Sequence, residues 1–152
     1  MGITIKIIAI SSNDRRLIMG QIRVKVNFFD TDAMAVVHHA NYFRWFEMGR
    51  VEFLREAGIT LNELMADHIV FPITDVSCKY RASARFDDIV IIETIATVLT
   101  PLKLIFDYKV LREADGELLA EGHSQGVFTS METGKLIKLP KKYFDKLKEV
   151  QK

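Results

Sequence analysis

The sequence has one cysteine, three prolines, one tryptophan and almost no imbalance of charge. Each scarcity removes a class of protein. Cys78 has no second thiol with which to close an internal disulfide, and a thiolate zinc site needs more ligands than it offers. Burial must therefore hold the fold together, and a reducing cytoplasm suits the chain. With 21 Lys+Arg against 20 Asp+Glu, the net charge is +1, without the basic excess that binding to a phosphate backbone demands. Nucleic acid is not an expected partner. Nor is membrane insertion expected. The apolar run Ile3–Ile10 is far short of the ~20 residues a spanning helix needs. It also lacks the basic stretch before it and the small-residue site after it that mark a signal peptide.

What remains is a chain of 152 residues, 49% hydrophobic, long enough to bury one core without a metal or disulfide staple. That apolar share is rich for a lone small domain. It points to an oligomer, a homodimer or homotetramer. Residues 1–20 read as an N-terminal extension or an extra edge strand, with a turn at Ser11-Ser12-Asn13-Asp14. Met19-Gly20 is an alternative start, and 21–152 read as a single domain.

From there the hydrophobic period tells the elements apart. Ile22, Val24, Val26 and Phe28 alternate with polar residues, predicting a half-buried strand. Tyr42, Trp45, Phe46, Gly49, Phe53 and Ala57 then recur at spacings of three and four. This places one apolar face on a helix from about Ala40 to Ala57, closed by Gly58. Thr60 and Glu63 form a capping-box pattern that opens a short helix to about Asp67. Strands are predicted over Ile69–Arg81, Ile89–Leu99, Leu104–Leu111 and Glu117–Thr129, with a hairpin at Asp115-Gly116 and a short strand over Lys135–Leu139. Pro140 opens a last helix that turns Tyr143, Phe144, Leu147 and Val150 inward. One long helix and a mostly antiparallel sheet make an α+β arrangement. Ile89–Ile92 is apolar on both faces, so one surface of the sheet is expected to meet a partner subunit.

Chemistry concentrates between Asp30 and Tyr42, where two carboxylates and two imidazoles precede the long helix. Asp30 and Asp32 are two residues apart, and an extended backbone would put both on one side. A helix start offers backbone N–H groups and a positive dipole end, suited to a developing oxyanion. A base or nucleophile beside such donors is the minimal equipment for acyl transfer. The commoner fate of Asp at a strand-to-helix junction is a turn or a cap, and that reading stands beside the first. His38 and His39 read equally as hydrogen-bonded, partly buried histidines. A metal site from these residues lacks the HxH or HExxH spacing, so none is expected. Glu47 is a second candidate base or, paired with Arg50, a solvated or intersubunit ion pair. Cys78 sits in a strand-like run and reads as a structural thiol rather than a nucleophile. His68 and His123 have no assigned role.

The order Asp30-Thr31-Asp32, Val36-Val37, His39-Ala40-Asn41-Tyr42, Trp45-Phe46-Glu47 and Arg50 resembles the signature of the hotdog-fold acyl-coenzyme A thioesterases. It is most similar to the hydroxybenzoyl-coenzyme A thioesterase family, in particular its bacterial group associated with the Tol-Pal system. The likeness runs from about Gln21 to Pro140 and includes the Arg85-Phe86-Asp87-Asp88 turn. It implies a long central helix wrapped by a mostly antiparallel five-stranded sheet, with sites formed at subunit interfaces and no metal or cofactor. It implies Asp32 as nucleophile or general base, and the backbone N–H at His39 polarising the thioester carbonyl. Val37, His38, Tyr42 and Glu47 would line the substrate site. The implied substrate is a short-chain or aromatic acyl-coenzyme A, or the same acyl group on a carrier protein. A non-catalytic acyl-binding module and a hydroxyacyl-thioester dehydratase are the alternatives. Two positions depart from the pattern. Ala35 stands where many members have Gly, so the loop must take a backbone geometry an L-residue tolerates, or shift. Phe28 stands where close relatives carry Tyr.

Overall fold

The computed structural model describes residues 8–12 and 15–150. Ile3–Ile7 and the end of the expected first turn, Asn13-Asp14, lie outside the described residues. Strand β1 (Ile8–Ser12) runs antiparallel to β2 (Arg15–Lys25), with Ile8 opposite Met19. Helix α1 (Asn41–Glu56) follows, then α2 (Leu61–Ala66), which the expected Thr60–Glu63 capping box opens. The remaining long strands are β4 (Ile73–Tyr80), β5 (Ile89–Leu99), β6 (Lys103–Arg112) and β7 (Leu118–Val127). They join one six-stranded antiparallel sheet in the order β1-β2-β5-β6-β7-β4. The five strands from β2 to β4 wrap α1 as the hotdog fold requires, and β1 extends the sheet beyond β2. Among the described residues, no helix is long and apolar enough to cross a membrane.

Three local expectations fail for physical reasons. The chain from Ile69 is two strands rather than one. Pro72 has no N–H to give a ladder, so β3 (Ile69–Val70) peels away to pair with β8 (Thr129–Ser130) in a separate ribbon. The stretch Lys135–Leu139 forms only an isolated bridge, Leu136 opposite Thr129. Phe28 does not continue the inward alternation of Ile22, Val24 and Val26. A tight helical turn over Phe28–Asp30 swings it out, and it is 74% exposed.

The apolar stripe of α1 lies in the core as its spacing predicts, with Tyr42, Trp45, Phe46, Phe53 and Leu54 all buried. The contact is close because glycines take the place of side chains at two crossings. At Gly49 a Cβ would run into Thr94 on β5, and at Gly122 on β7 it would run into the ring of Phe46. Phe46 stacks on Tyr108, centroids 4.4 Å apart, and Tyr108 is the cross-strand partner of Gly122. The ring thus sits over one residue pair, with tyrosine on one side and bare backbone on the other. Its partner hydroxyl is held in turn, since Tyr108 and Ser124 share a 2.6 Å hydrogen bond.

Helix α3 (Lys141–Val150) buries Tyr143 and Leu147 and clasps the far end of this core. Tyr143 Oη donates to Asp67 at 2.5 Å, Lys142 pairs with the same carboxylate at 2.6 Å, and Lys146 caps the Gly58 carbonyl at 2.8 Å. Those bonds, from Lys142 first and Tyr143 next, hold the Asp67 carboxyl below the usual carboxylate range.

Two outcomes are expected. Gly122→Ala should lower stability by about 1–3 kcal/mol through overpacking against Phe46, read from a chemical melt. A carboxyl depressed in the folded state contributes stability that is present above its unfolded pKa and is lost as pH falls through the folded one. The gap in Tm between wild type and Asp67→Asn should therefore be widest near neutrality and narrow as pH falls below about 4.

Candidate functional site

The loop between β2 and α1 is built almost wholly from short-range hydrogen bonds. Asp30 ends the helical turn and returns its Oδ2 to the Asn27 N–H at 2.8 Å, while its carbonyl takes the His38 N–H and the Asn41 side-chain amide. Two residues later Asp32 does something different. Its N–H reaches the Val36 carbonyl, and its Oδ1 accepts the Met34 N–H at 2.8 Å, closing an Asx turn. The two carboxylates therefore do not work side by side as an extended spacing suggests. Asp30 is a cap, and Asp32 is a turn residue with its second oxygen unpartnered among the described residues.

Asp32 also lines a cleft of about 280 Å³, together with Met34, Val37, His39 and Tyr42 from its own loop and helix. The opposite wall is Tyr80, Arg81, Ala82 and Ser83, at the end of β4 and just beyond it. That wall is stitched in place. The Val37 N–H reaches the Ala84 carbonyl at 2.8 Å, and Arg112 holds the Ser83 carbonyl together with Asp88, Asp115 and Glu117. Asp88 closes the Arg85–Asp88 turn by accepting the Arg85 N–H.

The start of α1 faces this space without a side-chain cap. The Ala40 N–H turns back to His38 Nδ1 at 3.1 Å, and the Asn41 N–H to the His38 carbonyl. Nothing among the described residues accepts the His39 N–H. The His38 and His39 rings stack at 4.1 Å, so His38 buttresses His39 rather than lining the cleft. Tyr42 is buried against Trp45 and Tyr80, and burial raises its phenol above the ordinary value. Val37 is buried and anchors the loop. Glu47 is not brought to Asp32. It rims a separate apolar hollow with Arg50, Leu54, Leu64 and Phe71. Cys78 is half-buried, and burial pushes its thiol up, away from reactivity.

A carboxylate with one free oxygen and an unpaired N–H at a helix start, on two residues of one cleft, can together activate water or attack at a carbonyl carbon while the donor takes charge at its oxygen. The residues that sequence reasoning missed are Tyr80, Arg81, Ala82 and Ser83. Their place beside Asp32 comes from the sheet wrapping the helix, and no local pattern in the sequence signals it.

A sequence model of the Thioesterase-like superfamily matches residues 26–149. The chain is 36% identical to the acyl-CoA thioester hydrolase YbgC of Escherichia coli, over 64% of this chain and 72% of that one. A solved hypothetical protein of Thermus thermophilus superposes with a TM-score of 0.79 at 33% identity, covering 86% of this chain and 98% of its own. The DHNA-CoA thioesterase of Staphylococcus aureus superposes with a TM-score of 0.80 at 26% identity, covering 87% of each chain.

Ala35 pays locally for the shape of this loop. It sits at φ 60, in the left-handed region where a Cβ is costly. Ala35→Gly should leave stability unchanged or raise it by up to about 1 kcal/mol, while the β-branched Ala35→Val should lower it by about 1–2 kcal/mol. Thermal melts of the three proteins check the order.

Proposed function

The chain belongs to the Thioesterase-like superfamily, and on that premise we propose that it hydrolyses acyl-coenzyme A thioesters with Asp32 as its base or nucleophile. One observation carries the reading: Asp32, which has one free oxygen, and His39, whose N–H is unpaired, line the same cleft. With Asp32 as base, the carboxylate takes a proton from water and the hydroxide adds to the thioester carbon. The carbonyl oxygen gains charge against the His39 N–H and the positive end of α1. The tetrahedral species then collapses, the carbon–sulfur bond breaks, and the thiol leaves with the proton from Asp32. With Asp32 as nucleophile, its oxygen bonds to the thioester carbon, the carbon–sulfur bond breaks and thiolate leaves. Water then opens the resulting acyl–aspartyl anhydride, restoring the Asp32 carboxylate, and the proton it releases goes to the thiolate. Either route yields one acid and one thiol.

Tyr42, Val37 and Met34 give the cleft apolar walls, which favours a short-chain or aromatic acyl group. Around the cleft the loop exposes Phe28, Phe29 and Met34, and Phe28 meets Phe86 edge to face at 5.8 Å. Such apolar surface beside a site supports completion of that site by a second copy of the chain. The same cleft would admit an acyl group presented on a carrier protein. Glu47 lies outside it and is assigned no part in the proton transfer.

Thiol release from a panel of acyl-coenzyme A substrates tests this directly. Asp32→Asn should lower kcat by about 10²–10⁴-fold with the fold retained. Saturable binding of acyl-coenzyme A without thiol release in the wild type would mark a binding module instead.

A further inference from the structure

The peptide between His39 and Ala40 is held at both ends. Its N–H, that of Ala40, donates to His38 Nδ1 at 3.1 Å, and its carbonyl, that of His39, accepts the Tyr80 hydroxyl at 2.7 Å. The second bond joins residues 41 apart in sequence, from the end of β4 to the residue before the N-cap of α1. It is the link by which the sheet sets the rotation of the peptide next to the unpaired His39 N–H. The ring that carries the hydroxyl is itself fixed. It meets Tyr42 edge to face at 5.1 Å and His39 at 6.4 Å, and its phenol is pushed up to about 12, by burial first and by the neighbouring Cys78 next. The hydroxyl therefore stays protonated at any working pH and remains a donor.

We infer that Tyr80 is a positioning residue for acyl transfer: by holding the His39 carbonyl it fixes the helix-start N–H that receives the developing oxyanion. The inference rests on the proposed thioester hydrolysis and adds the element that aims its oxyanion donor. A donor contributes most when it points at the place where charge develops, and small angular errors are costly there. The role belongs to the hydroxyl. The ring packs the wall and would do so without it. His38, at the other end of the same peptide, completes the clamp from within the loop.

Steady-state kinetics on an acyl-coenzyme A that the wild type hydrolyses test this, with Tyr80→Phe, His39→Ala and Asp32→Asn compared and a thermal melt for each. Tyr80→Phe keeps the aromatic contacts and removes only the hydrogen bond. It should lower kcat about tenfold, less than the 10²–10³-fold loss seen when an oxyanion donor is itself removed, with KM and Tm close to wild type. His39→Ala keeps the backbone N–H and should retain more of the activity than Tyr80→Phe. A Tyr80→Phe protein with wild-type kcat, or one with raised KM and unchanged kcat, overturns the positioning role. The second result would make the hydroxyl a substrate contact. A fall in kcat matched by a fall in Tm overturns it too, in favour of a purely structural bond. Undiminished turnover by Asp32→Asn would instead strike at the hydrolytic mechanism, and that arm is read independently of the Tyr80 arm.

Discussion

The fold depends on one close contact, a helix laid against a sheet with the bare backbone of Gly49 against the Thr94 side chain and with an aromatic ring over bare backbone at Gly122. Each large side chain that α1 buries contributes about 1.5–3 kcal/mol of apolar transfer. That sum is realised only if the sheet curves close enough to touch the helix along its length. Glycine at the two crossings permits the approach, and Phe46 on Tyr108 fixes the helix at one register on the strands. A helix so fixed has a fixed beginning. Where α1 starts, and in which direction its first N–H groups point, is therefore set by the core.

The loop before the helix converts that constraint into a site. Its polar groups are mostly spent on each other: Asp30 on Asn27, Thr31 on Phe28, the Asp30 carbonyl on His38 and Asn41. Among the groups with no partner among the described residues are one oxygen of Asp32 and the N–H of His39, and both of these residues line the cleft. A turn that satisfied every group would be more stable and chemically inert. The left-handed Ala35 belongs to the same balance, since a strained residue persists only where its surroundings over-determine it.

Much of the architecture was legible because period is a local property. The three-and-four spacing of Tyr42, Trp45, Phe46 and Phe53 locates a helix and its buried face, and Asp115-Gly116 locates a hairpin, without knowledge of anything distant. The errors arose where local pattern and tertiary demand part company. Phe28 continues an alternation that the chain abandons at the turn, and Ile69–Arg81 reads as one strand although Pro72 divides it. The near wall of the cleft was readable as a cluster of acid and imidazole before a helix. The far wall, Tyr80 to Ser83, was not, because nothing in those residues announces which loop the sheet will carry them to. Glu47 shows the converse: it is close to the cluster in sequence, but α1 directs it to another hollow.

The Asx turn at Asp32 has a consequence for the symmetry of its own side chain. A free carboxylate spins about its Cβ–Cγ bond and its two oxygens become equivalent on average. Here one oxygen is tied to the Met34 N–H, and the side chain cannot turn without first breaking that bond. The pair is thus desymmetrised, with one oxygen belonging to the backbone and the other to whatever enters the cleft. A group that is formally two identical atoms behaves as a single directional one, with its orientation set by a turn two residues long.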